Sequence, residues 1–124
     1  MITLYGIPNC DTVKKARAWL TDQGLEYEFY DFKKRGVPAD RLTNWVQAVG
    51  WEKLLNRQGT TWRKLDAAAQ VSVQDAASAQ ALMLGNPSLV KRPVMEWPKS
   101  KTTVEAKITV GFDHQSWAEI ARNR

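Results

Sequence analysis

The sequence predicts an α/β fold in which a mixed sheet of about four strands is flanked by helices. Segments with alternating apolar residues are interleaved with segments whose apolar residues recur every three or four positions. Their order along the chain is strand, helix, strand, several helices, strand, strand and helix. Because 124 residues is a usual size for one folding unit, we predict a single domain over residues 1–124.

The first third of the chain predicts a strand, a helix and a second strand. Alternation over residues 2–5 indicates the first strand, and residues 6–9 break the pattern as a loop. A helix is predicted from Asp11 to a stop at Gly24. Residues 26–32 are rich in aromatic side chains and predict a second strand. A helical crossover between two strands makes them parallel.

The middle of the chain, residues 38–87, predicts a mainly helical segment between the second and third strands. Apolar spacing indicates a helix that follows Pro38 and ends at Gly50, and helical spacing resumes after it. Gly59-Thr60-Thr61 is expected to interrupt the helical pattern. A further helix is predicted from Val73 to Leu84.

The last part of the chain predicts a hairpin and a final helix. Residues 94–97 and 106–110 read as strands joined by a polar connection over residues 98–103. Asp113 is the predicted cap of the last helix, whose apolar face includes Trp117.

Composition and charge exclude several classes of protein. The chain is 44% hydrophobic and 25% charged, as in ordinary globular proteins. No apolar run approaches the roughly 20 residues of a membrane helix, and the start of the chain lacks the features of a signal peptide, so we expect a cytoplasmic protein without a membrane partner. The net charge of +5 favours anionic ligands. DNA binding is not expected, because the basic residues form no single stripe.

Cys10 is the one cysteine of the chain and lies where the first loop meets the first helix. A single cysteine excludes an internal disulfide. The chain has one histidine, His114, far along the sequence from Cys10, which leaves too few ligands for a cysteine-based zinc site. Cysteines at helix N-termini have pKa values lowered from about 8.5 to about 3.5–7.5, because the helix dipole favours the thiolate. The alternative is that Cys10 is a small apolar residue that fills a gap in the core.

Two segments carry a resemblance to a known family. The segment from Leu4 to Ala16, which contains Pro8-Asn9-Cys10, and the segment Asn86 to Pro93 resemble the family of ArsC, Spx and YffB. The YffB-type subgroup is the most similar. The resemblance implies a thioredoxin-like fold, with Cys10 as nucleophile and a cis-proline, Pro93, that faces it.

The resemblance also implies an anion-binding site and allows a comparison with the two functions known in the family, arsenate reduction and transcriptional regulation. In the arsenate reductases of this family three arginines surround the cysteine, of which Arg92 and Arg57 are the counterparts here. The third has no counterpart, and Lys107 lacks the planar fork of a guanidinium, which argues against efficient arsenate reduction. The Spx regulators carry a Cys-x-x-Cys switch, whereas this chain has Val13 at the second position, so an intramolecular thiol switch is excluded.

Single-thiol chemistry therefore remains, and we expect a glutathione-dependent thiol reductase. Glutathione is the expected co-substrate, with no tightly bound cofactor and no metal. Its carboxylates suit Arg92 and Arg57, and the backbone beside Pro93 can pair with the tripeptide as an extended strand. Asn9 and Thr12 flank the nucleophile and are predicted to hydrogen-bond it, although both are also common in caps and turns.

Two alternatives stay open. The first is a non-catalytic interaction protein that resembles Spx and binds RNA polymerase. The second is a weak arsenate reductase. Glutaredoxin is a further candidate partner for resolving an adduct on Cys10.

Overall fold

The computed structural model describes residues 1–98 and 106–122 of the chain. The chain divides into two compact units. The first unit consists of Met1–Asp31 and of the chain from Arg92 onward, and the second is Phe32–Lys91. The predicted fold class is confirmed: the protein has a thioredoxin-like α/β fold, with a mixed sheet in the first unit and a helical segment between its second and third strands. The assignment of residues 1–124 to a single domain, with residues 38–87 as its helical part, stays a prediction.

The first unit is built on a sheet that has four strands within the described residues, in the order β2-β1-β3-β4. The strands are β1 (Ile2–Gly6), β2 (Tyr27–Asp31), β3 (Val94–Trp97) and β4 (Lys107–Val110). β1 runs parallel to β2 and antiparallel to β3, and β3 pairs antiparallel with β4. The predicted parallel pair and the predicted hairpin are therefore confirmed.

Helix α1 (Asp11–Asp22) joins the two parallel strands. It buries an apolar face of Val13, Ala16 and Leu20 against the sheet core. The helix ends in a Schellman motif: Gly24 has a φ of +69°, its N–H donates to the Thr21 carbonyl, and the next N–H donates to the Leu20 carbonyl. Glycine is favoured there because the left-handed conformation is costly for other residues.

Helix α8 (His114–Arg122) closes the first unit around an aromatic cluster. The Asp113 carboxylate accepts hydrogen bonds from the backbone N–H groups of the first turn, as the cap prediction requires. The buried Trp117 packs edge-on against Trp97, with ring centres 5.2 Å apart, and against Phe112 at 4.7 Å. The Trp97 indole N–H donates to the Thr109 hydroxyl at 2.9 Å, so its polar atom is satisfied inside the core.

The second unit is helical in the part of the chain that the structure describes. Its helices are α2 (Phe32–Arg35), α3 (Ala39–Val49), α4 (Trp51–Leu54), α5 (Thr60–Lys64), α6 (Ala67–Val71) and α7 (Ala76–Gly85), followed by a 3₁₀ turn at Pro87–Leu89. α3 ends at Gly50 as predicted, where the φ is +90°. Phe32 and Trp45 pack in its core with ring centres 6.2 Å apart.

Several predicted boundaries are wrong: by one residue, the first strand extends to Gly6, the second begins at Tyr27 and the last begins at Lys107. The second strand stops at Asp31, because Phe32 begins α2 and turns its ring into the core of the second unit. The break predicted at Gly59-Thr60-Thr61 lies earlier, over residues 55–59, since α4 ends at Leu54 and α5 begins at Thr60. The helix expected from Val73 begins at Ala76, because Asp75 caps it in a reciprocal capping box with Ser78.

The polar connection predicted over residues 98–103 lies, apart from Pro98, outside the described residues. Among the helices of the described residues, none has the length and apolar character needed to cross a membrane.

The aromatic cluster predicts a strong dependence of stability on one side chain. Replacing Trp117, which is 1% exposed, with alanine is expected to lower the free energy of unfolding by about 3–5 kcal/mol, because a cavity opens between α8 and the sheet. Glu119→Ala on the exposed side of the same helix is the control and should change it by less than about 0.5 kcal/mol. Urea denaturation followed by tryptophan fluorescence measures both, and equal effects would contradict the packing described.

Candidate active site

Cys10 lies at the N-cap of α1, directly after the turn that leaves β1. The backbone N–H of Cys10 donates to the Ile7 carbonyl at 3.2 Å, and its own carbonyl accepts from Lys14 N–H at 2.9 Å. A Cβ atom added to Gly6 would lie 2.8 Å from Val13 Cγ2, so a side chain at that position would push the helix away from the strand. The glycine therefore lets α1 start close to the end of β1 and fixes the place of the thiol.

The Cys10 side chain is partly buried and packs against the core cluster of the first unit. Burial is the largest single effect on the Cys10 thiol, and it acts to raise the pKa. Three groups act in the opposite direction and together outweigh burial: the backbone N–H of Val13, the guanidinium of Arg92 and the backbone N–H of Thr12. The net pKa therefore lies below the ordinary value of a thiol. The sulfur makes no hydrogen bond of capping geometry, so these N–H groups act on it as nearby dipoles at the end of the helix.

Arg92 supplies the positive charge beside the sulfur, through a hydrogen bond and through its charge. The Arg92-Pro93 peptide bond is cis, as the resemblance implies. The buried Pro93 opens onto β3, and its carbonyl accepts a hydrogen bond from Gly111 N–H at 2.9 Å. Gly111 follows β4 with a φ of +85°, so this bond ties the start of β3 to the end of β4. Arg92 is thus held by the sheet at the position from which it reaches Cys10.

The other predicted site residues behave differently. Thr12 acts on the sulfur through its backbone N–H, whereas Asn9 is exposed and is not among the groups that shift the pKa of Cys10. Arg57 belongs to the second unit, where its guanidinium lies over two tryptophan rings. Its part in a site with Cys10 stays a prediction, as do the roles in binding of Asn9 and Thr12.

The backbone N–H of Val13 is a functional group that our sequence analysis missed. It is the largest single effect that lowers the pKa of Cys10. The signal is present in the sequence: Val13 is the third helical residue after Cys10, and the side chain of an N-cap residue faces the N–H groups of the second and third helical residues. In the sequence prediction Val13 marks only the position of a missing second cysteine.

The described residues contain no cluster of three or more histidine, cysteine or acidic side chains able to hold a metal ion. The arrangement instead consists of a thiolate, helix N–H groups and a guanidinium. These groups stabilise negative charge, and the sulfur is a nucleophile in its deprotonated form.

Comparison with known proteins places this site in a family. Residues 5–120 match the model of the ArsC family, and the chain belongs to that family. A curated relative from Haemophilus influenzae, an uncharacterized protein, is 38% identical over 94% of this chain and 96% of its own length. The global transcriptional regulator Spx of Streptococcus pyogenes is 28% identical over 77% of this chain and 71% of its own length.

Solved structures agree with the family and with the YffB-type resemblance. A YffB protein superposes with a TM-score of 0.85 at 42% identity and covers 96% of this chain and 97% of its own. An arsenate reductase related protein from Brucella melitensis superposes with a TM-score of 0.69 at 47% identity, with 98% of this chain and 94% of its own covered. Both arsenate-reductase-like proteins and Spx regulators are thus relatives of this chain.

Removing the charge of Arg92 is expected to raise the pKa of Cys10. In Arg92→Met the hydrogen bond and the positive charge are lost while the effect of burial remains. The pH dependence of Cys10 alkylation by iodoacetamide measures the change. Lys91→Met, at the exposed neighbouring position, is the control and should leave the profile in place. An unshifted profile in Arg92→Met would remove Arg92 from the activation of the thiol.

The lowered pKa also predicts a pH dependence of stability. Because the folded pKa of Cys10 lies below the unfolded one, the unfolded chain binds more protons between the two values, and stability rises with pH across that window. The thiolate contribution is complete above the unfolded pKa and is lost as the pH falls through the folded pKa. Urea denaturation under reducing conditions should give a difference between wild type and Cys10→Ser that grows with pH. A constant difference would contradict the lowered pKa.

Proposed function

We propose that this protein is a glutathione-dependent thiol reductase in which Cys10 is the nucleophile. The observation that carries the proposal is the position of the Cys10 sulfur, at the N-terminus of α1 and beside the guanidinium of Arg92, which together lower the pKa of the thiol. A thiolate at neutral pH is the species that attacks disulfides. A cysteine that only fills space in a core has a raised pKa, so the lowered pKa of Cys10 supports a reactive thiol over a packing role.

The first half-reaction is attack on an oxidised substrate R–S–S–R′. The Cys10 thiolate forms a bond to one sulfur while the disulfide bond breaks, and R′–S⁻ leaves and takes a proton from water. The guanidinium of Arg92 stabilises negative charge on Cys10 before the attack and on the leaving sulfur as the bond breaks. The product is a mixed disulfide between Cys10 and R–S.

The second half-reaction needs a thiol from solution. The chain contains only one cysteine, so no thiol of its own can resolve the mixed disulfide. In the proposal the glutathione thiolate attacks the R–S sulfur, releases R–S–S–glutathione and restores the Cys10 thiolate, with no net change in the number of electrons on the protein. A glutaredoxin would serve as an alternative donor of the resolving thiol.

Glutathione carries two carboxylates, which match the positive residues assigned to the site. Arg92 and Arg57 provide planar guanidinium groups that bind carboxylates in a bidentate manner. β3 itself is paired on both sides, with β1 and with β4, so the backbone with which the tripeptide would pair is that beside Pro93, ahead of the strand.

Arsenate reduction by the same Cys10 nucleophile is a lesser alternative, for which we expect low activity. Arg92 and Arg57 are available for an oxyanion, but the third arginine of the family's reductases has no counterpart. Lys107 begins β4 with an exposed side chain and provides a point charge in place of a fork. Slow turnover of arsenate with glutathione and glutaredoxin is the expected result, and turnover comparable with disulfide reduction would reverse the order of the two proposals.

A second candidate, from another class, is a non-catalytic protein that binds RNA polymerase. Its support is the similarity to Spx regulators. An RNA polymerase pull-down with wild type and Cys10→Ser tests it, because a docking protein would be retained in both forms. Retention of both forms together with an unreactive Cys10 would favour this candidate.

Substitution at Cys10 tests the proposed chemistry directly. Cys10→Ser is expected to abolish both glutathionylation, detected by intact mass after incubation with oxidised glutathione, and disulfide reductase activity. The hydroxyl of serine is not ionised at neutral pH, so it cannot replace the thiolate. Undiminished reductase activity in Cys10→Ser would overturn the proposed function.

Binding of glutathione is expected to depend on Arg92. Arg92→Ala should weaken it by about tenfold or more, since charge-assisted hydrogen bonds contribute about 1.5–3 kcal/mol each. Lys91→Ala is the matched control for a change of net charge. A dissociation constant for Arg92→Ala equal to that of Lys91→Ala would remove Arg92 from the glutathione site.

A further inference from the structure

Arg57 of the second unit is held between two tryptophans. Its guanidinium carbon lies 5.3 Å from the centre of the Trp51 ring and 5.7 Å from the centre of the Trp62 ring. Both distances are within the roughly 6 Å reach of a cation–π contact. Trp51 begins α4 and Trp62 lies inside α5, so each side of the intervening loop contributes one ring.

The backbone around Arg57 is also fixed on both sides. Before it, Asn56 N–H donates to the Leu89 carbonyl at 2.7 Å. After it, Gln58 N–H donates to the Asn56 side-chain oxygen at 3.2 Å, and Arg63 Nη2 donates to the Gln58 carbonyl at 2.9 Å. A ligand that binds Arg57 therefore orders little of the loop, and the entropy cost of binding is reduced.

The guanidinium of Arg57 is accessible to an external ligand. Arg57 is exposed, and within residues 1–98 and 106–122 its side chain contacts the two rings without a hydrogen bond or ion pair to a protein oxygen. The N–H groups of a guanidinium lie in its plane, in the fork that receives a carboxylate. Ring contacts leave that fork able to bind an external anion.

We propose that Trp51 and Trp62 are positioning residues that hold Arg57 ready to bind a carboxylate of glutathione. This inference rests on the proposed function, in which Arg57 takes such a carboxylate. The rings act through Arg57. Their removal therefore lowers the affinity for glutathione and leaves the reactivity of the Cys10 thiol as it is.

Isothermal titration calorimetry with S-methylglutathione tests the inference. This probe keeps both carboxylates of glutathione and has no free thiol, so its binding is independent of Cys10 chemistry. Trp62→Ala and Trp51→Ala are each expected to weaken binding by about two- to fivefold, the range of an exposed cation–π contact. Trp62→Phe keeps an aromatic face and should recover most of the affinity.

A double-variant comparison distinguishes positioning from a general structural role. If Trp62 acts through Arg57, Trp62→Ala has no further effect on the dissociation constant in an Arg57→Ala background. In nuclear magnetic resonance spectra the Arg57 Nε–H signal should carry a ring-current shift that Trp62→Ala reduces. Variants whose Cys10 alkylation rate equals that of wild type have a first unit that is correctly folded.

Three results would overturn the inference: no binding of S-methylglutathione to wild type, an unchanged dissociation constant in both tryptophan variants, or an equal loss of affinity from Trp62→Ala with and without Arg57. Failure of the proposed function has a different signature, namely reductase activity that survives Cys10→Ser. The calorimetry of S-methylglutathione does not depend on that activity, so the two failures are distinguishable.

Discussion

The close contact between the end of β1 and the start of α1 is the constraint on which the site depends. Gly6 has no side chain, and Val13 occupies the space that a Cβ atom would need. The same Val13 packs its side chain into the core and directs its N–H toward the Cys10 sulfur. The same helical turn therefore packs against the core and stabilises the thiolate. A substitution that loosens the core at this turn is expected to weaken the stabilisation of the thiolate as well.

The site is a balance between two opposing effects on the thiol. Partial burial disfavours the charged sulfur, and it would leave Cys10 an inert core residue if it acted alone. The helix N–H groups and Arg92 reverse the outcome, and the hydrogen bond of the neighbouring Pro93 carbonyl with Gly111 N–H ties this part of the chain to the sheet. The two segments that resemble the ArsC family contain the residues that build this balance.

The sequence was sufficient to predict the elements whose periodicity is strong and whose ends carry clear stop signals. α1 with its Schellman glycine and the parallel β1 and β2 are examples, because burial on one face leaves a pattern in the residues. The prediction failed where the secondary structure of a residue depends on a contact with a residue far away in the sequence. Phe32 suits a strand by propensity, yet it begins a helix because its ring packs on Trp45. Within the site, Cys10 was predicted from its position at the start of a helix and Arg92 from the family resemblance. The contribution of the Val13 N–H follows from its place as the third helical residue after Cys10, a signal that the sequence prediction did not use.

The most direct test of this account is the rate of Cys10 alkylation as a function of pH, followed by intact mass, in the folded protein and in the same protein unfolded in urea. The account predicts that the folded profile lies at lower pH than the unfolded one, and that reduced glutathione slows the reaction of the folded form alone. Coincident profiles without protection by glutathione would contradict an activated thiol at the N-terminus of α1 and would leave Cys10 a residue of the core.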